Sequence, residues 1–228
     1  MHSSLQPSGH AVRIPAGRVE LDGDLTLPPS ARGIVVFAHG SGSSRQSPRN
    51  KFVAGRLHDA GMATLLFDLL TRREEAEDAY TGHLRFDIRL LADRLVHAID
   101  WLGRHPAAGH LPLGCFGAST GAAAALVAAT ERPQRVRAVV SRGGRPDLAG
   151  DALAKVHAPT LLIVGANDEP VIGLNEYALS QIPADHCELE IVPGAGHLFE
   201  EPGALERVAS LAAGWFSRFL APEAALAA

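Results

Sequence analysis

The sequence predicts an α/β fold of three layers: a mostly parallel sheet with an antiparallel N-terminal edge, helices on both faces, and no cap domain. Three observations carry this. Continuous apolar runs at 33–39, 62–70, 111–118 and 159–165 lack the alternation of a half-exposed strand, so they read as strands buried on both faces. Between them lie segments whose apolar residues recur three and four apart, the spacing of helices that cover a sheet. The chain has 228 residues, 46% hydrophobic and 20% charged, which suits one domain with a large core and leaves little for a second. A single domain over 1–228 is expected, with its core at about 11–221.

The elements follow in order. Residues 11–27 alternate apolar and polar around Ala16-Gly17, as in two antiparallel edge strands. The strand at 33–39 leads into the loop GSGSSRQSP. Residues 50–60 have helical spacing and stop at Gly61. The strand at 62–70 is followed by 71–82, TRREEAEDAYTG, which is polar and acidic and reads as a loop. Residues 86–105 form a long amphipathic pattern stopped at Pro106, with His97 and His105 read as surface residues on it. After the strand at 111–118 comes an alanine-rich helix at 119–130. A strand at 135–143, a short helix at 146–156, a strand at 159–165, a helix at 171–182, a strand at 187–194 and a helix at 204–221 complete the chain. Trp215, Phe216 and Phe219 make the last helix apolar on one side. Packing on the sheet explains that face better than dimerisation does.

The net charge is −4, which offers no electrostatic case for nucleic acid or an anionic membrane. Cys115 and Cys187 are too few for a disulfide framework; they read as packed small hydrophobes in a reducing compartment. The N-terminus lacks the charged and apolar regions of a signal peptide, and no apolar stretch is long enough to span a membrane. A cytoplasmic protein, monomer or homodimer, is expected. No histidine pair has metal-ligand spacing beside a carboxylate, and no glycine-rich phosphate loop follows a strand, so neither metal nor nucleotide cofactor is expected.

In a parallel sheet, ligands gather at the carboxyl ends of the strands. Four strand ends carry chemistry. One delivers Ser119 in the G-x-S-x-G of CFGASTG, one Asp168 in GANDEPV, one His197 in PGAGHLF, and the first parallel strand His39-Gly40-Ser41-Gly42. Ser119 alone reads equally as a helix cap, Asp168 as a turn residue and His197 as a loop histidine. Together, each after its own strand at one end of the sheet, they point to a nucleophile, an orienting acid and a base. Glu169 is the alternative acid. His39 reads as a brace for its loop.

GASTG, GANDEPV and GAGHLF together resemble the α/β-hydrolase superfamily. The small size, the HGSGSSR loop and the FDLLT…EE segment resemble its dienelactone-hydrolase-like branch, over about residues 30–220. The resemblance implies an α/β-hydrolase fold with catalytic Ser119, Asp168 and His197. It also implies an oxyanion hole from the backbone N–H groups of Thr120 and Ser41. The dienelactone hydrolases carry a cysteine at the elbow where this chain has Ser119, so a serine esterase acting on small soluble carboxylic esters is implied. The same triad would serve a thioesterase, an acyltransferase or a small peptidase, and a ligand receptor on a hydrolase scaffold is the reading from another class. Gly40 is expected to let substrate approach, and Arg142 or Arg145 to fork a substrate carboxylate. Only the short segment 144–158 stands where related enzymes insert a cap, so an open site is expected.

Overall fold

The computed structural model describes residues 9–220. Their eight strands form one sheet in the order β1-β2-β4-β3-β5-β6-β7-β8. The strands β1 (Gly9–Ala16) and β2 (Val19–Thr26) form the antiparallel edge hairpin. β2 then runs antiparallel to β4 (Met62–Phe67), and every further pairing is parallel. The inner strands β3 (Gly33–Ala38), β4, β5 (Leu113–Ala118) and β7 (Thr160–Gly165) are buried at every residue, as continuous apolar runs require. β6 (Val136–Arg142) is buried except at Arg137, and β8 (Cys187–Val192) forms the far edge. The expected α/β fold is the observed one.

Two apolar cores sandwich the sheet. On one face α3 (Ile88–Gly103) and α4 (Thr120–Glu131) cover Val36, Leu65, Cys115 and Val139. On the other face α1 (Pro48–Asp59) and α6 (Ala204–Phe219) cover Phe37, Phe116, Val140 and Ile163. Trp215 and Phe216 are buried in this second core and Phe219 packs at its rim, so the apolar face of the last helix is turned to the sheet. The alanines of α4 bring that helix close to β5: a Cβ on Gly117 would lie 2.4 Å from Ala122 Cα. α5 (Glu169–Gln181) follows β7.

Several boundaries differ from the sequence reading. Residues 72–81 are not a loop but a helix, α2 (Arg72–Thr81). It is polar nearly all round and so lacks the apolar stripe by which helices are recognised. Its start is set by a capping box instead: Thr71 N–H donates to Glu74 Oε2 at 2.7 Å, and Glu74 N–H donates to Thr71 Oγ1 at 3.2 Å. The expected helix at 86–105 is a short 3₁₀ turn, Leu84–Phe86, then α3, whose N-cap Asp87 accepts from Leu90 N–H. His105 therefore lies beyond α3, its ring 5.2 Å from that of Trp101 and tilted by 55°, and both His97 and His105 are half-buried. The segment Pro146–Lys155 is 3₁₀ with a break at Gly150 (φ 53°), packed on α4 and α5.

Candidate active site

Ser119 stands between β5 and α4 with φ 50° and ψ −121°. A left-handed backbone at a non-glycine residue is strained. The strain follows from the close approach of the flanking chain, since a Cβ on Gly121 would come within 2.1 Å of Ala38 O. Ser119 holds the N-cap position of α4, yet its side chain makes no capping bond. The hydroxyl is thus left out of the helix, above the carboxyl edge of the sheet, where α4 presents the positive end of its dipole.

Asp168 closes β7 at the N-cap of α5 and makes no side-chain capping bond either. Its Oδ2 instead accepts from His197 Nδ1 at 2.6 Å. A carboxylate only accepts, so Nδ1 carries a proton, and in the neutral ring Nε2 holds the lone pair. The two loops are stitched together by backbone: Asn167 N–H donates to Ala195 O at 2.9 Å, and Asn167 Nδ2 donates to Gly194 O at 2.9 Å. A Cβ on Gly165 would meet Ala195 O at 2.3 Å, so glycine is required for this approach. Glu201 Oε1 then holds Gly196 N–H at 2.9 Å. Glu169, the alternative acid, is exposed on the first turn of α5.

The segment Arg142–Arg145 joins the serine to the histidine. Ser119 N–H donates to Arg142 O at 3.3 Å, and Arg145 N–H donates to Ser119 O at 3.1 Å. A Cβ on Gly143 would lie 3.6 Å from His197 Cε1. Ser119 and His197 therefore both border this turn.

The loop after β3 lies against Ser119. A Cβ on Gly40 would meet Ser119 Cβ at 3.0 Å, so Gly40 gives room at the serine. Ser41 N–H donates to Thr120 Oγ1 at 3.0 Å. The amide read as an oxyanion donor is thus held by the side chain of the residue whose own amide is the other donor. His39 is buried; its Nδ1 donates to Gly40 O at 2.9 Å, and its Nε2 accepts Leu69 N–H at 3.0 Å. Both bonds need neutral imidazole, and burial lowers its pKa accordingly, against a smaller opposing bond to Gly40. His39 braces the loop, as its position predicts.

A cavity opens beside Ser41 and Thr120, lined by Leu69, Leu70 and Leu91. α2 forms its outer wall with Glu75 and Asp78. Burial and then neighbouring Asp68 raise the Glu75 pKa. Asp78 is held by Arg85 Nε at 2.5 Å and by Leu84 N–H at 2.7 Å. This wall is missing from the sequence reading because α2 is. The T-x-x-E of the capping box was the signal that could have found it.

The arginines divide by partner. Arg45 joins Asp68 and lies 3.4 Å from Asp24 with its side chain only 18% exposed, so it is a tie between strands and not a solvated charge. Arg145 forks Asp147 through Nε and Nη2 at 2.9 and 2.7 Å, which occupies one of the two guanidinium groups considered for a substrate carboxylate. The other, Arg142, is 8% exposed, and its Nε and Nη1 are buried without a hydrogen-bond partner. Among the described residues no group of three or more His, Cys, Asp or Glu is placed to hold a metal ion, and no helix is long and apolar enough to cross a membrane.

This geometry has close counterparts. A dienelactone hydrolase of Anabaena variabilis superimposes with a TM-score of 0.92 at 61% identity, over 94% of this chain and 99% of that one. Est1E of Butyrivibrio proteoclasticus superimposes with a TM-score of 0.77 over 92% of this chain and 98% of that one, but at 17% identity it speaks for the fold alone. A Mycobacterium tuberculosis protein provisionally named a phosphoribosyl transferase is 60% identical over 205 residues, which are 90% of this chain and 45% of that protein. The chain thus spans less than half the length of that relative. The model of the dienelactone hydrolase family matches residues 21–220. This match includes the strained Ser119 and the His197–Asp168 pair at one edge of the sheet, and the chain belongs to the dienelactone hydrolase family.

Proposed function

We propose that the protein is a serine hydrolase of small, soluble carboxylic esters, working through an acyl-Ser119 intermediate. The observation that carries this is the 2.6 Å bond from His197 Nδ1 to Asp168 Oδ2. It leaves Nε2 unprotonated at the edge of the turn that also holds the strained Ser119. His197 Nε2 takes the Ser119 proton as Oγ attacks the ester carbonyl. Asp168 stabilises the resulting imidazolium. The oxyanion is met by Thr120 N–H at the start of α4 and by Ser41 N–H, which turns from Thr120 Oγ1 to the substrate. The imidazolium then gives its proton to the leaving alcohol. In the second half, Nε2 removes a proton from water as that water attacks the acyl group, and Ser119 is released with the proton returned to Oγ.

The cavity beneath α2 suits one short apolar arm of the substrate, since leucines line it. The transferase name of the longer relative belongs to a protein of which this chain spans 45%, and an acyl-transferring triad does not supply that chemistry. A cytoplasmic location accords with the two unpaired cysteines.

The test is intact-protein mass after a serine-directed phosphonate, with hydrolysis of p-nitrophenyl acetate and butyrate alongside. One adduct and turnover are expected in the wild type, with both lost in Ser119→Ala. An unlabelled wild type that turns over neither ester would overturn the proposal in favour of a ligand-binding role.

A further inference from the structure

The cavity beside Ser41 and Thr120 is lined by leucines and, toward α2, by charged side chains. His39, Glu75, Asp78 and Arg85 are its titratable groups. All but Glu75 are spent within the fold. His39 bonds Gly40 O and takes Leu69 N–H. Asp78 Oδ1 accepts from Leu84 N–H at 2.7 Å, its Oδ2 accepts from Arg85 Nε, and Arg85 Nη2 donates to Asp78 O at 2.7 Å. Glu75 stands three residues before Asp78 on the same face of α2. It is half-buried, and no hydrogen bond or ion pair of its carboxylate is formed among the described residues. The adjacent Glu74 is the contrast, since it is taken up by Thr71 N–H and by Arg94 Nη2 at 2.8 Å. Burial, and then the Asp68 charge, raise the Glu75 pKa against smaller pulls from Arg45, Arg85 and Arg72. Each of those arginines already faces another acid: Arg45 bonds Asp68, Arg85 bonds Asp78, and Arg72 lies 3.9 Å from Asp22.

An ionised carboxylate accepts and does not donate. A half-buried acceptor without a donor has given up hydration that nothing in the fold replaces. In a leucine-lined pocket, one such group fixes the orientation of what enters. The amides of Ser41 and Thr120 border the same cavity, so an ester whose carbonyl oxygen meets them can send one arm toward α2. That arm is the acyl one. The leaving alcohol must face His197 to receive its proton, and neither His197 nor the turn at Gly143 lines this cavity. A hydroxyl on the acyl arm would give Glu75 the donor it lacks. A carboxylate there would meet a like charge, because Arg85 is already taken by Asp78.

We propose that Glu75 is a specificity-determining residue that accepts a hydrogen bond from a hydroxyl on the acyl arm of the substrate, so that short hydroxyacyl esters are preferred over plain and acidic ones. The selection among esters rests on the serine-hydrolase reading, whereas recognition of the hydroxyl does not.

Two arms test it. The first compares kcat/KM for p-nitrophenyl 3-hydroxybutyrate, butyrate and hemisuccinate in the wild type, Glu75→Leu and Glu75→Gln. Loss of a hydrogen bond to a charged group predicts a fall in the hydroxybutyrate-to-butyrate ratio of at least about tenfold in Glu75→Leu. The hemisuccinate-to-butyrate ratio should rise in the same variant, because a like charge has gone. Glu75→Gln keeps an acceptor and should show a smaller fall in the first ratio; it carries this arm if Glu75→Leu does not fold. An unchanged hydroxybutyrate ratio, or a fall in both ratios together, would overturn the proposal, since a damaged wall would not move them in opposite directions. The second arm follows binding of methyl 3-hydroxybutyrate, methyl butyrate and methyl 4-aminobutyrate to Ser119→Ala by ligand-observed NMR, where turnover plays no part. Tighter binding of the hydroxy ester than of the butyrate, lost when Glu75→Leu is added, supports the assignment even if no ester is ever hydrolysed. Binding of the amino ester alone would make the ligand a cation and overturn the assignment to a hydroxyl. Equal binding of the hydroxy ester and the butyrate, or none of either, would overturn it as well.

Discussion

Replacing Asp168 by asparagine keeps the outline of the side chain and removes its charge. The 2.6 Å contact with His197 Nδ1 is made by Oδ2. In Asp168→Asn the amide can turn its NH₂ toward Nδ1, which must then accept, so the ring proton moves to Nε2. Nε2 no longer has a lone pair for the Ser119 proton. The charge term adds to this. Two unit charges about 4 Å apart at an effective dielectric near 20 interact by about 4 kcal/mol. His197 is 39% exposed, so solvent takes part of that. Tautomer and charge together come to about 5 kcal/mol of barrier, a loss of ~10⁴ in kcat. The assay is steady-state hydrolysis of p-nitrophenyl acetate by Asp168→Asn and Glu169→Gln, with melting temperatures taken alongside. Glu169 is exposed and turned to solvent, so Glu169→Gln is expected to stay within about twofold of wild type. If Asp168→Asn kept a tenth of the wild-type kcat, or if Glu169→Gln lost as much, the orienting acid would lie elsewhere and the derivation from the 2.6 Å bond would fail.

Other expectations follow from the same contacts. His39 must be neutral to make both of its bonds, and burial lowers its folded pKa below 6.5. The unfolded chain then binds the proton more readily, so stability is full above the unfolded value of ~6.5 and is lost as pH falls below it. His58, also lowered by burial, acts in the same direction. Melting curves from pH 8 to 5 should show a shallower acid limb in His39→Gln than in wild type, and His58→Gln separates the two contributions; parallel limbs would count against the neutral brace. Burial pushes Cys115 up to about 12 and, with Glu188, Cys187 up to about 11. Iodoacetamide at pH 8 should therefore leave both thiols of the native protein unlabelled and label both in guanidinium. Thr71→Ala removes one half of the capping box of α2 and should cost about 1 kcal/mol locally. That would be read as about fivefold faster amide exchange in 72–81 with little change elsewhere; unaltered exchange would mean that α2 is held by its contacts with Arg85 and Arg94 alone.

The positions of Ser119, Asp168 and His197 were legible because each follows a run that reads as a strand of the sheet. Once β5, β6, β7 and β8 run parallel on one side of β3, the ends of β5, β7 and β8 must deliver Ser119, Asp168 and His197 to the same edge. What the pattern could not show is how charges choose partners. Arg142 and Arg145 stand three residues apart at and just after the end of β6, yet Arg145 forks Asp147 and Arg142 is buried with no acid. Alternation along β6 decides this, and the last residues of a strand are where its register is hardest to read. α2 was missed for a different reason. Its stability comes from its ends, through Thr71, Glu74 and the left-handed Gly82, and not from an apolar face.

The stitching between the loops after β7 and β8 has a consequence for how activity appears in time. Asn167 can bond Ala195 and Gly194, and Asp168 can bond His197, only after β8 has docked beside β7 at the far edge of the sheet. β8 is also the last in sequence of the described strands. Until β8 docks, the Ser119 edge of the sheet has no Asp168–His197 pair beside it. In refolding from denaturant, esterase activity should return later than the bulk of the helical signal.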